Sequence, residues 1–325
     1  MAELITTPLF DDPDFAIMVR APEPGLELAA WSRSHLDWLE ELALRHPVVL
    51  LRGFDLRDDA GFSRVRDVLV PRPARYLYRS TPRTAVAEGV MTATEYPANQ
   101  DILQHCENAY QLDWPMRLLF CCLVPAEEGG QTPISDVMKV TTRIGEAAQD
   151  EIERRGVRYV RNYHAGFDLD WRTVFQTDDR GEVEAFCAAN KIKHEWLNDG
   201  RLRTTQDCQG MARHPTTGAR LWFNQAHLFH PSALGAAAME DMREIFGVDG
   251  LPRDARFGDG GTIAPEMLDR VRAAFAGEAR QFDWRAGDVM IVDNMRAAHG
   301  RRPFTGERRV LVSMGVMHSE LTNAN

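Results

Sequence analysis

WRAGDVMIVDNMRAAHGRRPFTGERRVLVSM, residues 284–314, holds two apolar runs, DVMIVDN and RRVLVSM, on either side of one histidine, His299. The runs are short, rich in Val, Ile, Leu and Met, and bounded by Gly, Asn and Arg, which reads as buried strand rather than helix. QFDW at 281–284 and the continuation RRVLVSMGV add strand character to the same end of the chain. Working outward, the N-terminal half shows a helix over about 34–44, a strand VVLLRGF at 48–54 closed by a Gly turn, and a helix over GFSRVRDVLV. MRLLFCCLV at 116–124 reads as a buried strand closed by PAEEGGQT, and helical spacing covers 137–154, 233–247 and 264–278. Strands at both ends around a helix-bearing middle predict a mainly β fold, one domain over 1–325, with a helical insertion around 137–280 packed outside a sheet that closes late. Residues 76–104, rich in Thr, Pro and small residues, are expected to form a loop over a pocket.

Histidine followed two residues later by an acid is the second signal. With 10 His and 48 acidic residues in 325, chance gives about 1.5 such pairs. The chain carries three: His35 with Asp37, His105 with Glu107, and His318 with Glu320. Residues two apart share a face on a strand and diverge on a helix. WSRSHLDWLEELAL has helical spacing, so the first pair diverges, and the third lies against a polar tail, LTNAN, expected to fray. His105 and Glu107 remain, with His299 as a distant third ligand. Two imidazoles and a carboxylate on one face of an octahedral iron leave three positions open for chemistry.

Composition narrows the classes. A net charge of −10 argues against a nucleic-acid partner. No run reaches the roughly 18 apolar residues of a membrane helix, and the start MAELITTPLFDDPDF lacks the pattern of a secretion signal. Five cysteines, Cys106, Cys121, Cys122, Cys187 and Cys208, form no CxxC pair and read as reduced thiols in a cytoplasmic protein.

If the metal works with a keto acid, chelation through the keto oxygen and C1 carboxylate leaves the remote carboxylate needing its own cation. An arginine fork meets it best. Arg308 and Arg309 lie nine and ten residues beyond His299 at the start of VLVSM and point to opposite faces of that strand. One can face the pocket.

STPRT at 80–84, TEYPAN at 94–99, HCENAY at 105–110, PAEEGGQTPISD at 125–136, VRYVRNY at 157–163, HPTTGARLWFNQAHLFH at 214–230, FGDGGTI at 257–263 and the opening stretch resemble, in order, the TauD/TfdA-type iron(II)- and 2-oxoglutarate-dependent dioxygenases of the clavaminate synthase-like superfamily. The likeness is nearest to SyrP-like members of natural product pathways. It implies a double-stranded β-helix, or jelly roll, with iron(II) on His105, Glu107 and His299, and a 2-oxoglutarate carboxylate on Thr132 and an arginine of ERRVLV. The family's GxR pattern points to Arg308, with Arg309 as the alternative register. Cys106 stands where the family has Asn, and is expected to point away from the metal. The resemblance further implies dioxygen as co-substrate, release of succinate and carbon dioxide, and hydroxylation of an amino acid at the β-carbon, free or tethered to a carrier protein. Desaturation or epoxidation are alternatives, as is a zinc hydrolase on the same ligands. Glu107 occupies the position a halide would need, which disfavours halogenation.

Substrate contacts are harder to read. Arg83 in STPRT could clamp a substrate carboxylate, and Asn224 in WFNQ could present an amide, against the readings of a loop charge and of an Asn satisfied by backbone. Trp222 and Phe223 read as core, and His214, His227 and His230 as structural.

Overall fold

The computed structural model describes residues 5–74, 77–164 and 166–321. Residues 322–325, most of the tail LTNAN, lie outside the described residues. Eight strands form the main sheet, in the order Ile5–Pro8, Ala16–Arg20, Val48–Arg52, Val289–Asp293, Asp113–Val124, Arg309–Ser319, Val90–Thr92 and Ala85–Ala87. All neighbours run antiparallel except Ala16–Arg20 with Val48–Arg52. The near-continuous apolar runs are explained by burial on both faces. Val49, Leu51, Leu119, Cys121, Val289, Ile291 and Leu311 pack under the helices Leu28–Ser34, Leu36–Arg45 and Asp59–Leu69. Their alternate neighbours Leu50, Leu118, Phe120, Met290, Val310 and Val312 point the other way, toward Ile134 and Ala297 of a small second sheet. That sheet holds Ile102–His105, Ala297–Arg301 and Ile134–Asp136, with Ala297–Arg301 in the centre.

The middle of the chain differs from expectation. It carries helices Val137–Ile144, Glu146–Arg155, Arg180–Ala189, Ala236–Phe246 and Pro265–Glu278, but also a four-stranded antiparallel sheet of Lys193–Trp196, Leu202–Cys208, Val157–Asn162 and Arg253–Phe257. The insertion is therefore mixed rather than helical. Its strands alternate buried residues with Arg, Thr and Asp, so they lack the apolar density that marks the main sheet. Gly145, at φ +88°, breaks 137–154 into two helices.

Three further expectations shift. QFDW forms no strand; only Arg280 beside it bridges to Ile134. Residues 76–104 are not all loop, because Ala85–Ala87 and Val90–Thr92 form a hairpin on the edge of the main sheet. His318 belongs to the strand Arg309–Ser319, where its ring lies 4.8 Å from that of Trp114. The five cysteines are free and buried.

Candidate metal centre and its two pockets

Antiparallel pairing brings the two histidines together. His105 ends the strand Ile102–His105 and stands directly opposite His299 on Ala297–Arg301, with ring centroids 4.6 Å apart. Glu107 is not on the strand, as the two-residue spacing suggested, but in the turn beyond it, where Asn108 takes φ +56°. Asn294 holds that turn. Its Oδ1 accepts the Glu107 backbone N–H at 2.7 Å, and its Nδ2 donates to the carbonyls of Glu107 at 2.9 Å and Pro115 at 2.7 Å. Ligand atoms of His105, Glu107 and His299 then lie within 4.8 Å of one another, the one such cluster among the described residues. Cys106 lies buried in the core cluster of the insertion.

The donor set fits a divalent transition metal. His105 Nδ1 donates to the Leu103 carbonyl at 2.8 Å, which leaves Nε2 with its lone pair for a metal. Burial draws His105 below the ordinary imidazole range against the opposing pull of Glu107. Burial, then His105 and Arg83, draw His299 well below it. Neutral imidazole is the ligating form. Phe120 packs 5.0 Å from the His299 ring.

Beside His299 is a narrow cavity walled by Ile102, Phe120, Val310, Thr132 and Arg308. Thr132 Oγ1 accepts a hydrogen bond from Trp284 Nε1 at 3.0 Å, so the hydroxyl is left to use its own proton as donor elsewhere. Arg308 Nε donates to the Gly130 carbonyl at 3.0 Å, which fixes the stem and leaves the end of the guanidinium for a ligand. Gly130 permits this approach, because at φ +67° a Cβ there would lie 3.0 Å from Arg308 Cδ and Nε. Burial, and secondarily Arg301, lower Arg308 to about 10, still cationic at neutral pH. Arg309 points to the other face and pairs with Asp59 at 2.6 Å, as strand alternation requires of one of the two.

A second, wider pocket of ≈ 660 Å³ lies against the insertion. Its lining includes Leu103, whose carbonyl holds His105, and residues 80–82, which precede Arg83 in the chain. Phe167, Phe229 and Tyr96 line it, and its charged liners Asp168 and Arg253 are bonded to each other through both carboxylate oxygens.

The two substrate candidates are placed differently from expectation. Arg83 is buried and donates to Glu107 Oε2 at 2.6 Å; it lines the narrow cavity rather than the wide pocket. Asn224 lines neither, because its Nδ2 donates to the Gly210 carbonyl and its Oδ1 caps Ala226 N–H. His214 bonds to Asp293 at 3.0 Å, His227 to the Gln104 carbonyl at 3.0 Å, and His230 caps Ser232. Burial lowers His227 to about 4. These three are separate structural histidines. Asn294, Trp284 and Arg301 went unread in the sequence. Arg301, buried in the cavity wall, donates to the carbonyls of Tyr96, Pro97 and Gln100. Nothing local marks Trp284 or Arg301, whereas Asn294 stands five residues before His299 at the end of a strand, where an Asn side chain commonly holds backbone.

Comparison with known proteins gives the family. The family described as "Taurine catabolism dioxygenase TauD, TfdA family" matches residues 12–314. The dapdiamide synthesis protein DdaC of Enterobacter agglomerans is 40% identical over 303 residues, covering 90% of this chain and 91% of that protein. A clavaminate synthase-like protein of Arabidopsis thaliana is 27% identical over 340 residues, covering 97% and 99%. The structure of PvcB, described as an Fe, alpha-ketoglutarate dependent oxygenase from an isonitrile synthetic pathway, has the same fold at TM-score 0.54 and 18% identity, covering 96% of this chain and 90% of that one. AAD-2, solved with Mn(II) and N-oxalylglycine, superposes at TM-score 0.55 and 14% identity, covering 96% and 97%. The chain belongs to the TauD/TfdA family and is an iron(II)- and 2-oxoglutarate-dependent oxygenase that uses dioxygen.

Proposed function

We propose that His105, Glu107 and His299 hold the iron, that Arg308 and Thr132 hold the remote carboxylate of 2-oxoglutarate, and that the enzyme hydroxylates an unactivated β-carbon of an amino-acid-like substrate in natural product biosynthesis. The observation that carries the assignment is the convergence of three ligand atoms within 4.8 Å beside a cavity offering a threonine hydroxyl and an arginine fork. The likeness to a dapdiamide synthesis protein supports the pathway class. We assign the framework to the double-stranded β-helix within one domain, and place the enzyme in the cytoplasm, where five buried free thiols are stable.

Bound iron and 2-oxoglutarate, with dioxygen, supply the oxidising power for C–H cleavage, the keto acid leaving as succinate and carbon dioxide. The protein's part is binding and orientation. Leu103 fixes the His105 ring, Asn294 fixes the turn of Glu107, and Ile102, Phe120 and Val310 keep water from the keto acid. Arg308 meets the remote carboxylate with planar paired donors and Thr132 adds its hydroxyl proton. The substrate lies in the wide pocket. At ≈ 660 Å³ it has room for more than a free amino acid, and its charged liners neutralise each other, which favours a carrier-tethered amino acid over a free one.

Anaerobic addition of iron(II) and 2-oxoglutarate should produce a visible charge-transfer band. Absence of the band together with zinc-dependent ester or amide cleavage would overturn the assignment in favour of a hydrolase. Succinate release with free and carrier-bound amino acids, followed by product mass, then identifies the substrate; gain of one oxygen supports hydroxylation or epoxidation, and loss of two hydrogens supports desaturation.

A further inference from the structure

Residues 78–83 run as a strap from the insertion to the metal site, and arginines grip its backbone. Arg161, 1% exposed, donates to the carbonyls of Tyr78 at 3.5 Å and Arg79 at 3.0 Å. Its guanidinium lies 5.0 Å from the Tyr78 ring centre and 5.1 Å from that of Tyr163. Tyr110 donates its hydroxyl to the Tyr78 carbonyl at 2.9 Å, and Arg253 donates to the Ser80 carbonyl at 2.6 Å. Arg253 is in turn fixed by both oxygens of Asp168. Arg161 and Arg253 sit on adjacent strands of the insertion sheet, directly opposite in register. The strap is held at successive carbonyls by one rigid element.

The end of that strap is Arg83. Its NH2 lies 2.6 Å from Glu107 Oε2, with both side chains almost fully buried. The same oxygen faces His299, whose Nε2 is 3.8 Å away. A glutamate in a turn has soft terminal torsions, so hydrogen bonds at its backbone, such as those from Asn294, do not fix its carboxylate plane. A buried charge-assisted bond does.

We propose that Arg83 is the positioning residue of the metal-site carboxylate, delivered to it by a strap that the insertion sheet holds through Arg161 and Arg253. The inference rests on the assignment of Glu107 as an iron ligand. Held by Arg83, the Glu107 carboxylate would be presented to a metal in a fixed orientation beside His299. Because residues 80–82 also wall the wide pocket, the strap connects the substrate's surroundings to the ligand set. A substrate-clamping role for Arg83 fits less well, because its NH2 is committed to Glu107 and its side chain lines the other cavity.

The test is Mn(II) titration of the full-length metal-free protein by electron paramagnetic resonance, with and without 2-oxoglutarate, on wild type, Arg83→Met, Arg83→Lys and Arg253→Met. Arg83→Met should weaken Mn(II) binding by about 10- to 100-fold, the range seen when a partner of a metal ligand is removed. Arg83→Lys should recover part of the affinity because it restores a cationic donor. Arg253→Met, which touches no ligand, should weaken binding in the same direction by less and raise succinate release relative to product. Circular dichroism melts of the metal-free variants confirm that each is folded. Unchanged or tighter Mn(II) binding in folded Arg83→Met overturns the proposal. Should that variant not fold, wild-type affinity in both Arg83→Lys and Arg253→Met overturns it. Failure of the wild type to bind Mn(II) sinks the metal assignment itself, a different result from any variant effect.

Discussion

The cavity that receives Arg308, which His299 lines, and the pocket that receives Phe167, which includes the Leu103 whose carbonyl holds His105, are built largely from different parts of the chain. The first is made mainly by the framework, with Arg83 at the end of the strap in its wall. Phe120, Arg308 and Val310 come from the two long central strands or the turn beside them and Thr132 from the loop before Ile134–Asp136, and Thr132 and Arg308 are each oriented by a fixed protein contact. The second is made by the strap and the insertion, with half-exposed Tyr96, Leu103 and Phe167 on its rim. Such an arrangement suits one constant ligand and one variable one. A co-substrate shared by a family requires a rigid framework, whereas substrate choice is left to segments whose change does not disturb the sheet.

The comparison breaks first at Arg308. If its fork anchors the remote carboxylate, Arg308→Met leaves a buried charge unpaired in the complex, at a cost of about 2–5 kcal/mol, or roughly 30-fold to several thousand-fold in the KM for 2-oxoglutarate. Arg309→Met removes only a half-exposed ion pair with Asp59 and should change that KM by less than about fivefold, an exposed pair contributing 0–1 kcal/mol. Equal effects in steady-state kinetics would mean that the two arginines do not divide their work by strand face.

Asn294→Ala tests whether the framework side also holds the metal ligands. The amide is fully buried and makes three hydrogen bonds, two of them to Glu107. Leaving buried backbone groups unsatisfied costs about 1–3 kcal/mol, which predicts a melting temperature lower by a few degrees and Mn(II) binding weaker by about tenfold. A lower melting temperature with unchanged Mn(II) affinity would show that Asn294 supports the fold without positioning Glu107.

The same division explains what the sequence made legible. Framework features are dense and local. Apolar runs buried on both faces announce the central strands, the GGQT turn carries its glycines where Arg308 must pass, and the arginine pair at a strand start offers one residue to each face. His299 was readable because it follows such a strand. The turn at Glu107 was not, because it depends on Asn294, distant in sequence, and on Asn108 adopting a positive φ. The insertion sheet stayed hidden because VRYVRN, LRTTQDC and RDARF mix apolar residues with arginines that bond across the fold. Arg83 illustrates the limit. Its motif marked it as a site residue, but its partner is set by a strap whose anchors, Arg161 and Arg253, lie 78 and 170 residues further along the chain.

The smallest effect is expected on the rim of the wide pocket, and it is the most selective. Phe167 is 57% exposed, and its ring meets Phe246 edge to face at 4.9 Å. Phe167→Ala removes little buried surface, so stability should move by no more than about 0.5 kcal/mol. A substrate lying against the ring would lose part of an apolar contact worth about 1 kcal/mol, which raises its KM roughly fivefold. The KM for 2-oxoglutarate should stay at its wild-type value, because Phe167 does not line the narrow cavity. Measured together on one variant, these two constants separate the pockets. If both rise, the pockets are coupled through more than the strap; if neither rises, the substrate takes another route to the iron and the wide pocket is not its site.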